Sequence, residues 1–242
     1  MSGSLPSRNG WGIRGFQGVT LLDFPGRVAS LVFFGGCNFR CPYCHNPGLV
    51  DPRFISSAEE LSLEEVMDRV ARRRKLVGGV VVTGGEPTLQ EDLLVKLLEK
   101  ARELGVATKV DTNGSSPRVL QRILESGLVD VVALDLKTAP GKYPRATGGK
   151  EFGPVGESLG LLREKGVRYI LRTTLVPGLV GREDMEELAS LAQGAWEYHL
   201  QPFSNSVTLD SRFQEVVPYP PSVMEGMAQV LEEGGVRVVR LW

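Results

Sequence analysis

The sequence predicts an α/β fold built on parallel strands, and three observations carry that expectation. From residue 28 onward, short β-branched runs alternate with longer amphipathic segments. The alternation repeats six times and closes on a seventh strand. Glycine, proline and capping residues sit where one period gives way to the other. Strands separated by helices run parallel through right-handed crossovers. Two architectures satisfy this pattern: an open doubly wound sheet, and a barrel or part-barrel. No GxGxxG follows the first strand, so a dinucleotide-binding fold has no support.

Each element has a local reason. Residues 1–10, MSGSLPSRNG, are polar and lack the apolar core of a signal peptide. They read as a loose tail on a cytosolic chain. Gly12–Pro25 mixes β-type and turn residues without a helical period, and reads as a small hairpin leading into the first strand, Val28–Phe34. A helix over Ser62–Leu76 starts on Ser62, with Glu65 at capping-box spacing. Gly79–Thr83 is the next strand, and a helix over Gln90–Leu104 ends at Gly105. Ala107–Thr112 leads to a helix over Pro117–Ser126, with Pro117 in its first turn and Gly127 at its exit. The strand Val129–Leu136, a helix over Val155–Lys165 and the strand Arg168–Val176 follow. The series ends with a helix over Arg182–Gln193, the strand Trp196–Phe203, a helix over Pro221–Glu233 and the strand Val236–Leu241. No composition break divides residues 28–242, so the expected division is a tail and hairpin over 1–27 and one domain over 28–242.

Composition narrows the function classes. The chain has 242 residues, 42% hydrophobic and 24% charged, as in an ordinary globular protein. A net charge of −1 gives no reason to expect nucleic acid or an anionic membrane surface as partner. No stretch is long and apolar enough to span a bilayer. The basic run Arg72–Lys75 reads as the solvated end of a helix.

The unusual residues collect at strand ends. Three cysteines, all within Cys37–Cys44, follow the first strand. Thr83-Gly84-Gly85-Glu86-Pro87 follows the second, Asp111-Thr112-Asn113-Gly114 ends the third, and Asp135-Leu136-Lys137 ends the fourth. Arg172-Thr173-Thr174 and Gln201-Pro202-Phe203-Ser204 end the next two. Each alone has an ordinary reading: a turn after a strand, an Asx turn, or a surface ion pair between Asp135 and Lys137. Together they place every polar oddity at the C-terminal strand ends, the face where parallel α/β folds build their sites.

Three thiols at i, i+4 and i+7 can reach one metal centre from a single loop. Gly35 and Gly36 allow a sharp turn, and Pro42 stiffens the loop. An odd number of cysteines does not suit a disulfide framework, and a redox Cys41–Cys44 pair leaves Cys37 unexplained. The metal options are zinc and iron–sulfur. A structural zinc ion needs a fourth ligand, and only His45, adjacent to Cys44, is at hand. Neighbouring residues rarely converge on one tetrahedral ion, so zinc is disfavoured. A [4Fe–4S] cluster on three thiolates leaves one iron open to a small molecule.

Cys37-Asn38-Phe39-Arg40-Cys41-Pro42-Tyr43-Cys44 resembles the Cys-x₃-Cys-x-aromatic-Cys signature of the radical S-adenosylmethionine (SAM) superfamily. Thr83–Pro87, TGGEP, resembles that superfamily's second hallmark. Gly15-Phe16-Gln17, the stretch Thr20–Gly26, and Cys44-His45-Asn46 are similar to the glycyl-radical-enzyme activases. Within these, the chain looks most like activating proteins of anaerobic ribonucleoside-triphosphate reductase, and it is also similar to pyruvate formate-lyase activating enzyme.

The resemblance implies a partial (β/α)₆ TIM-like barrel with an N-terminal hairpin extension and a final C-terminal strand. It implies that Cys37, Cys41 and Cys44 ligate one [4Fe–4S] cluster and that SAM occupies the open iron. Reductive cleavage of SAM then yields a 5′-deoxyadenosyl radical that takes a hydrogen atom from a glycine of a partner enzyme. By the same resemblance Gly84, Gly85 and Glu86 receive the SAM amino group, Pro87 fixes that edge and Tyr43 lies beside the adenine. Arg172 meets the SAM carboxylate or ribose. Asp111, Thr112 and Asp135 match positions that hold a monovalent cation near SAM, with Lys137 at the same rim. His45 is expected to hydrogen-bond rather than ligate iron. Ser204 stands where pyruvate formate-lyase activases carry a histidine, and His199 reads as core or rim.

No cysteine remains for a second cluster, and Cys44 to Thr83 is too short a span for an inserted ferredoxin-like domain. The expected partners are a glycyl radical enzyme as protein substrate and a flavodoxin or ferredoxin as electron donor. The competing reading is a radical SAM enzyme acting on a small molecule, a peptide or tRNA. The N-terminal GFQ and LLDFPG stretches and the small size favour an activase. A plain electron carrier is disfavoured by TGGEP and the missing fourth cysteine.

Overall fold

The structure is a computed structural model that describes residues 11–51, 55 and 60–242. The tail expected over residues 1–10 lies outside them. β1 (Gly12–Thr20) pairs antiparallel with β2 (Ala29–Gly35). β2 then pairs in parallel with β3 (Gly79–Gly84), and β3 with β4 (Ala107–Thr112). β5 (Val131–Asp135), β6 (Arg168–Leu175), β7 (Glu197–Pro202) and β8 (Val238–Arg240) pair in parallel in that sequence. The sheet is open, and its strands keep the order of the chain from β1 to β8. The expected α/β class and final C-terminal strand are therefore observed. Among the described residues, no helix is long and apolar enough to cross a membrane.

The chain packs as two compact units. The described residues of 11–38 and 48–110 form one, and Phe39–Pro47 with Asp111–Trp242 form the other. In the first, Val80, Val81 and Val82 of β3 are all fully buried. A continuous apolar run of this kind marks a parallel strand covered on both faces. The helix Glu91–Glu103 buries Leu94, Leu97, Leu98 and Ala101, the i, i+3, i+4, i+7 stripe of an amphipathic helix. The helix Leu63–Arg73 opens on the expected capping box. Glu65 N–H donates to Ser62 Oγ, and Ser62 N–H donates to the Glu65 carboxylate at 2.8 Å. In the second unit, Leu134, Leu171, Tyr198 and Leu200 of the strands are buried with Leu159, Leu162 and Leu188 of the helices.

Four local outcomes differ from the sequence expectation. Gly12–Thr20 is a single strand whose partner is β2, so the hairpin arms are β1 and β2 rather than two halves of Gly12–Pro25. β5 stops at Asp135, which leaves Lys137 beyond the strand. The helix expected over Arg182–Gln193 is a 3₁₀ turn, Arg182–Asp184, followed by the helix Met185–Leu191. The cause is Asp184, whose carboxylate turns back to accept Gly181 N–H at 2.7 Å. A short helix, Tyr143–Thr147, also forms where the sequence shows only punctuation.

Candidate functional site

In the first unit, Cys37 follows β2, and the TGGEP turn follows β3. Gly85 N–H donates to Phe34 C=O at 2.8 Å, and Glu86 N–H donates to Gly36 C=O at 2.7 Å. These bonds stitch the TGGEP backbone to the residues that lead into Cys37. A Cβ on Gly85 would stand 2.0 Å from the Gly36 oxygen, and Gly84 adopts φ +117°, so both positions need glycine. Glu86 is fully buried, and its carboxylate accepts from Thr88 N–H (3.1 Å) and Thr88 Oγ1 (2.5 Å). Pro87 begins the 3₁₀ turn Pro87–Gln90 that this carboxylate caps. Gln90 ties the same end of the sheet, donating from Nε2 to Gly35 C=O (2.8 Å) and accepting Gly12 N–H at Oε1 (2.7 Å). Sequence reasoning missed Gln90, because its partners are distant in the chain.

In the second unit, Cys44 N–H donates to Cys41 C=O at 3.0 Å, closing a tight turn around Pro42 and Tyr43. Phe39, Cys41 and Tyr43 are buried. Arg40 N–H donates to Thr147 C=O at 2.9 Å, and Asp210 N–H donates to Pro42 C=O at 2.9 Å. The Tyr43 hydroxyl is buried with no hydrogen-bond partner. Such a group costs about 1–3 kcal/mol when nothing satisfies it. Burial pushes the Cys41 thiol up to about 11 against the pull of Lys137, and it raises Cys44 as well. Both thiols are therefore protonated near neutral pH until a metal displaces the proton.

A chain of charges lies in the same unit. In the sheet register Asp135 stands opposite Arg172, and Arg172 opposite His199, so the three residues share one face. Arg172 donates from Nε to Asp135 Oδ1 and from NH1 to Asp111 Oδ2, each at 2.8 Å. Lys137 Nζ donates to Asp135 Oδ2, also at 2.8 Å. Burial alone would raise the Asp135 carboxyl. The Arg172 guanidinium and Lys137 ammonium overcome it and hold the carboxyl well below the usual range. Burial opposes the charges of Lys137 and Arg172 too, yet the carboxylates facing them hold both more firmly protonated than usual. Thr112 Oγ1 accepts Gly114 N–H at 3.0 Å.

The remaining candidates fall outside this chain. His199 Nε2 lies 2.9 Å from Glu197 Oε2, and Glu197 also pairs with Arg237 at 3.2 Å. Ser204 is exposed beyond β7, with its Oγ 3.0 Å from Ser206 Oγ. His45 is exposed, with Nε2 3.2 Å from Asn46 Nδ2.

The model of the Radical SAM superfamily matches residues 31–192. This chain belongs to the radical SAM superfamily. A pyruvate formate-lyase-activating enzyme of Clostridium pasteurianum is 32% identical over 184 residues, spanning 74% of this chain and 75% of the relative. A protein of Methanocaldococcus jannaschii, named as a candidate glycyl-radical enzyme activating enzyme, is 29% identical over 213 residues, with 86% of each chain covered. These similarities place the radical SAM chain in the activase branch of its superfamily. Among solved structures, a domain of pyruvate-formate lyase-activating enzyme from Bacteroides vulgatus aligns with a TM-score of 0.57 at 16% identity. That alignment covers 67% of this chain and 98% of the domain. SuiB of Streptococcus suis aligns with a TM-score of 0.66 at 16% identity, covering 86% of this chain and 47% of SuiB. These structures share the fold, and with them the partial TIM-like barrel class expected from the sequence is met.

Membership implies a [4Fe–4S] cluster and SAM, and the donor set of this radical SAM chain fits both. No disulfide engages Cys37, Cys41 or Cys44. Among the described residues, no three His, Cys, Asp or Glu side chains form a group able to hold a single metal ion. A cubane distributes its thiolates over separate irons, so its ligands need not converge on one point. The unsatisfied Tyr43 hydroxyl is a donor waiting for an acceptor that a bound molecule can supply.

Proposed function

We propose that this chain is a glycyl-radical-enzyme activase whose protein substrate is an anaerobic ribonucleoside-triphosphate reductase. Cys37, Cys41 and Cys44 hold the cluster, and the missing fourth thiol leaves the position for SAM. When bound, the cluster supplies the electron that cleaves SAM to methionine and a 5′-deoxyadenosyl radical. That radical takes the hydrogen atom of the partner's glycine, giving 5′-deoxyadenosine and a glycyl radical. Gly84 and Gly85 receive the SAM amino group at backbone carbonyls, and Glu86, whose buried carboxylate is engaged by Thr88, caps the turn that follows them. Tyr43 lies against the adenine and donates its hydroxyl to the bound molecule.

Arg172 orients the SAM carboxylate, and Asp111 and Asp135 hold Arg172 in place. A monovalent cation at Asp111, Thr112 and Asp135 would compete with Arg172 for the same oxygens. Cation-free SAM cleavage assays test that point. A flavodoxin or ferredoxin delivers the electron, and the chain works in the cytoplasm.

The observation that carries the activase reading is the three-thiol loop with no fourth cysteine, in a chain 32% identical over 184 residues to a pyruvate formate-lyase-activating enzyme. The ribonucleotide reductase as partner rests on the sequence resemblance alone. The reduced, cluster-loaded protein is mixed anaerobically with SAM and one glycyl radical enzyme at a time. A glycyl signal by electron paramagnetic resonance (EPR) is expected with the ribonucleotide reductase. A signal only with pyruvate formate-lyase would transfer the partner assignment. No signal with any candidate, alongside turnover of a small molecule, a peptide or tRNA, would overturn the activase reading. Cys41→Ala is expected to abolish 5′-deoxyadenosine formation, and normal cleavage by that variant would refute the ligand assignment.

A further inference from the structure

The motifs account for the thiols and the charged residues but not for what holds the thiol turn against them. One short segment of the second unit, Tyr143–Gly148, touches both. At its start, the wholly buried Tyr143 hydroxyl donates to Asp135 C=O at 3.2 Å and accepts Lys137 N–H at 3.3 Å. It thus grips the backbone of both charged residues. At its end, Thr147 C=O accepts Arg40 N–H at 2.9 Å, one residue before Cys41. The Thr147 hydroxyl ties the two ends together by donating to Tyr143 C=O at 2.7 Å. Gly148, at φ +73°, lies so close to the thiol loop that an added Cβ would stand 2.7 Å from Arg40 Cβ and 2.8 Å from the Arg40 carbonyl oxygen.

We propose that Tyr143, Thr147 and Gly148 are positioning residues that hold the Cys41–Cys44 turn in fixed register with the Asp135–Lys137 pair, a role that rests on the cluster-binding reading above. A helix C-cap explains the positive φ of Gly148 but not its contact with Arg40. Gly127 separates the two explanations. It ends the helix Pro117–Glu125 at φ +65°, yet a Cβ there meets nothing within 4 Å. Gly127→Ala therefore carries the backbone cost of a left-handed alanine without disturbing the thiol loop.

The test compares the full-length wild type with Gly148→Ala, Gly127→Ala and Tyr143→Phe. Three quantities are measured: the alkylation rate of Cys41 in the metal-free protein, the iron bound per chain after anaerobic reconstitution, and the EPR spectrum of the reduced cluster during SAM titration. Gly148→Ala is expected to speed Cys41 alkylation about tenfold over Gly127→Ala, because loosened packing raises local opening. It is also expected to retain less iron. Tyr143→Phe is expected to load normally but to need about tenfold more SAM for the same spectral change, which is about 1.4 kcal/mol of lost affinity. If Gly148→Ala does not fold, Tyr143→Phe and the near-isosteric Thr147→Val carry the test through the same titration. Wild type that loads, with every variant matching Gly127→Ala in all three quantities, would overturn the positioning role alone. Wild type that takes up no cluster would overturn the functional reading and this proposal together.

Discussion

At the scale of single residues, the second unit holds one polar group that folding leaves unsatisfied and one that folding over-satisfies. The Tyr43 hydroxyl is buried without a partner. Removing it should cost the metal-free protein nothing, and relief of the unmet donor can add about 1 kcal/mol. Tyr43→Phe is therefore expected to keep or raise the urea midpoint while weakening SAM binding to the loaded protein. A lowered midpoint with unchanged SAM binding would show the hydroxyl to be structural.

Asp135 is the opposite case, bracketed by Arg172 and Lys137 at 2.8 Å. Its carboxyl is held below the usual carboxylate range, so the folded state keeps it charged where the unfolded chain takes up a proton. Its contribution to stability is thus fully present above about pH 4 and fades as pH falls further. Asp135→Asn is expected to lose on the order of 2–3 kcal/mol at pH 7, less than a fully buried pair because the carboxylate is partly open to solvent. The gap to wild type should narrow below about pH 4. A gap that stays constant from pH 7 to pH 3 would mean the loss is packing rather than charge.

Among the elements, those with a strong period or a cap were legible in the sequence, and those built by distant partners were not. β4 and the helix Pro221–Glu233 fall where the pattern of apolar residues and punctuation places them. The capping box at Ser62 is local chemistry and is observed as read. The helix Tyr143–Thr147 was not legible, because its bonds run to Asp135, Lys137 and Arg40, which no local pattern reveals. The same limit applies to Asp184, whose carboxylate closes on Gly181 N–H and pairs with Lys142.

The TGGEP turn lies between these cases. Its glycines were legible as a turn, but the reason for Gly85 is the Gly36 backbone lying where a side chain would go. A Cβ on Gly85 would meet the Gly36 oxygen at 2.0 Å, and no side-chain rotation relieves a clash with backbone. Gly85→Ala is expected to lower the thermal midpoint more than Ser62→Ala, which removes a cap worth about 1 kcal/mol. It should also cut iron loading, which Ser62→Ala should leave intact. Equal midpoints for the two variants would contradict the close approach.

For the molecule as a whole, the sequence announced parallel α/β order through its alternation, and the thiol loop with TGGEP announced the chemistry. It did not announce how the chain is shared between packing units. The chain crosses from one unit to the other after Asn38, after Pro47 and after Val110. The second unit therefore includes a nine-residue loop, Phe39–Pro47, from deep inside the first half of the sequence. That loop brings buried Phe39, Cys41 and Tyr43, and it is bonded through Arg40 to Thr147 and through Pro42 to Asp210. Burying a large apolar side chain contributes roughly 1.5–3 kcal/mol, and whole domains are stable by only about 5–15 kcal/mol. Losing Phe39, Tyr43 and both backbone bonds is thus a large fraction of what the unit can spare. A fragment of residues 111–242 is expected to show no cooperative urea transition and no near-ultraviolet circular dichroism, although its strands and helices are contiguous in sequence. A cooperative transition in that fragment, with native near-ultraviolet signal, would show that the thiol loop is carried by the second unit rather than being part of its core.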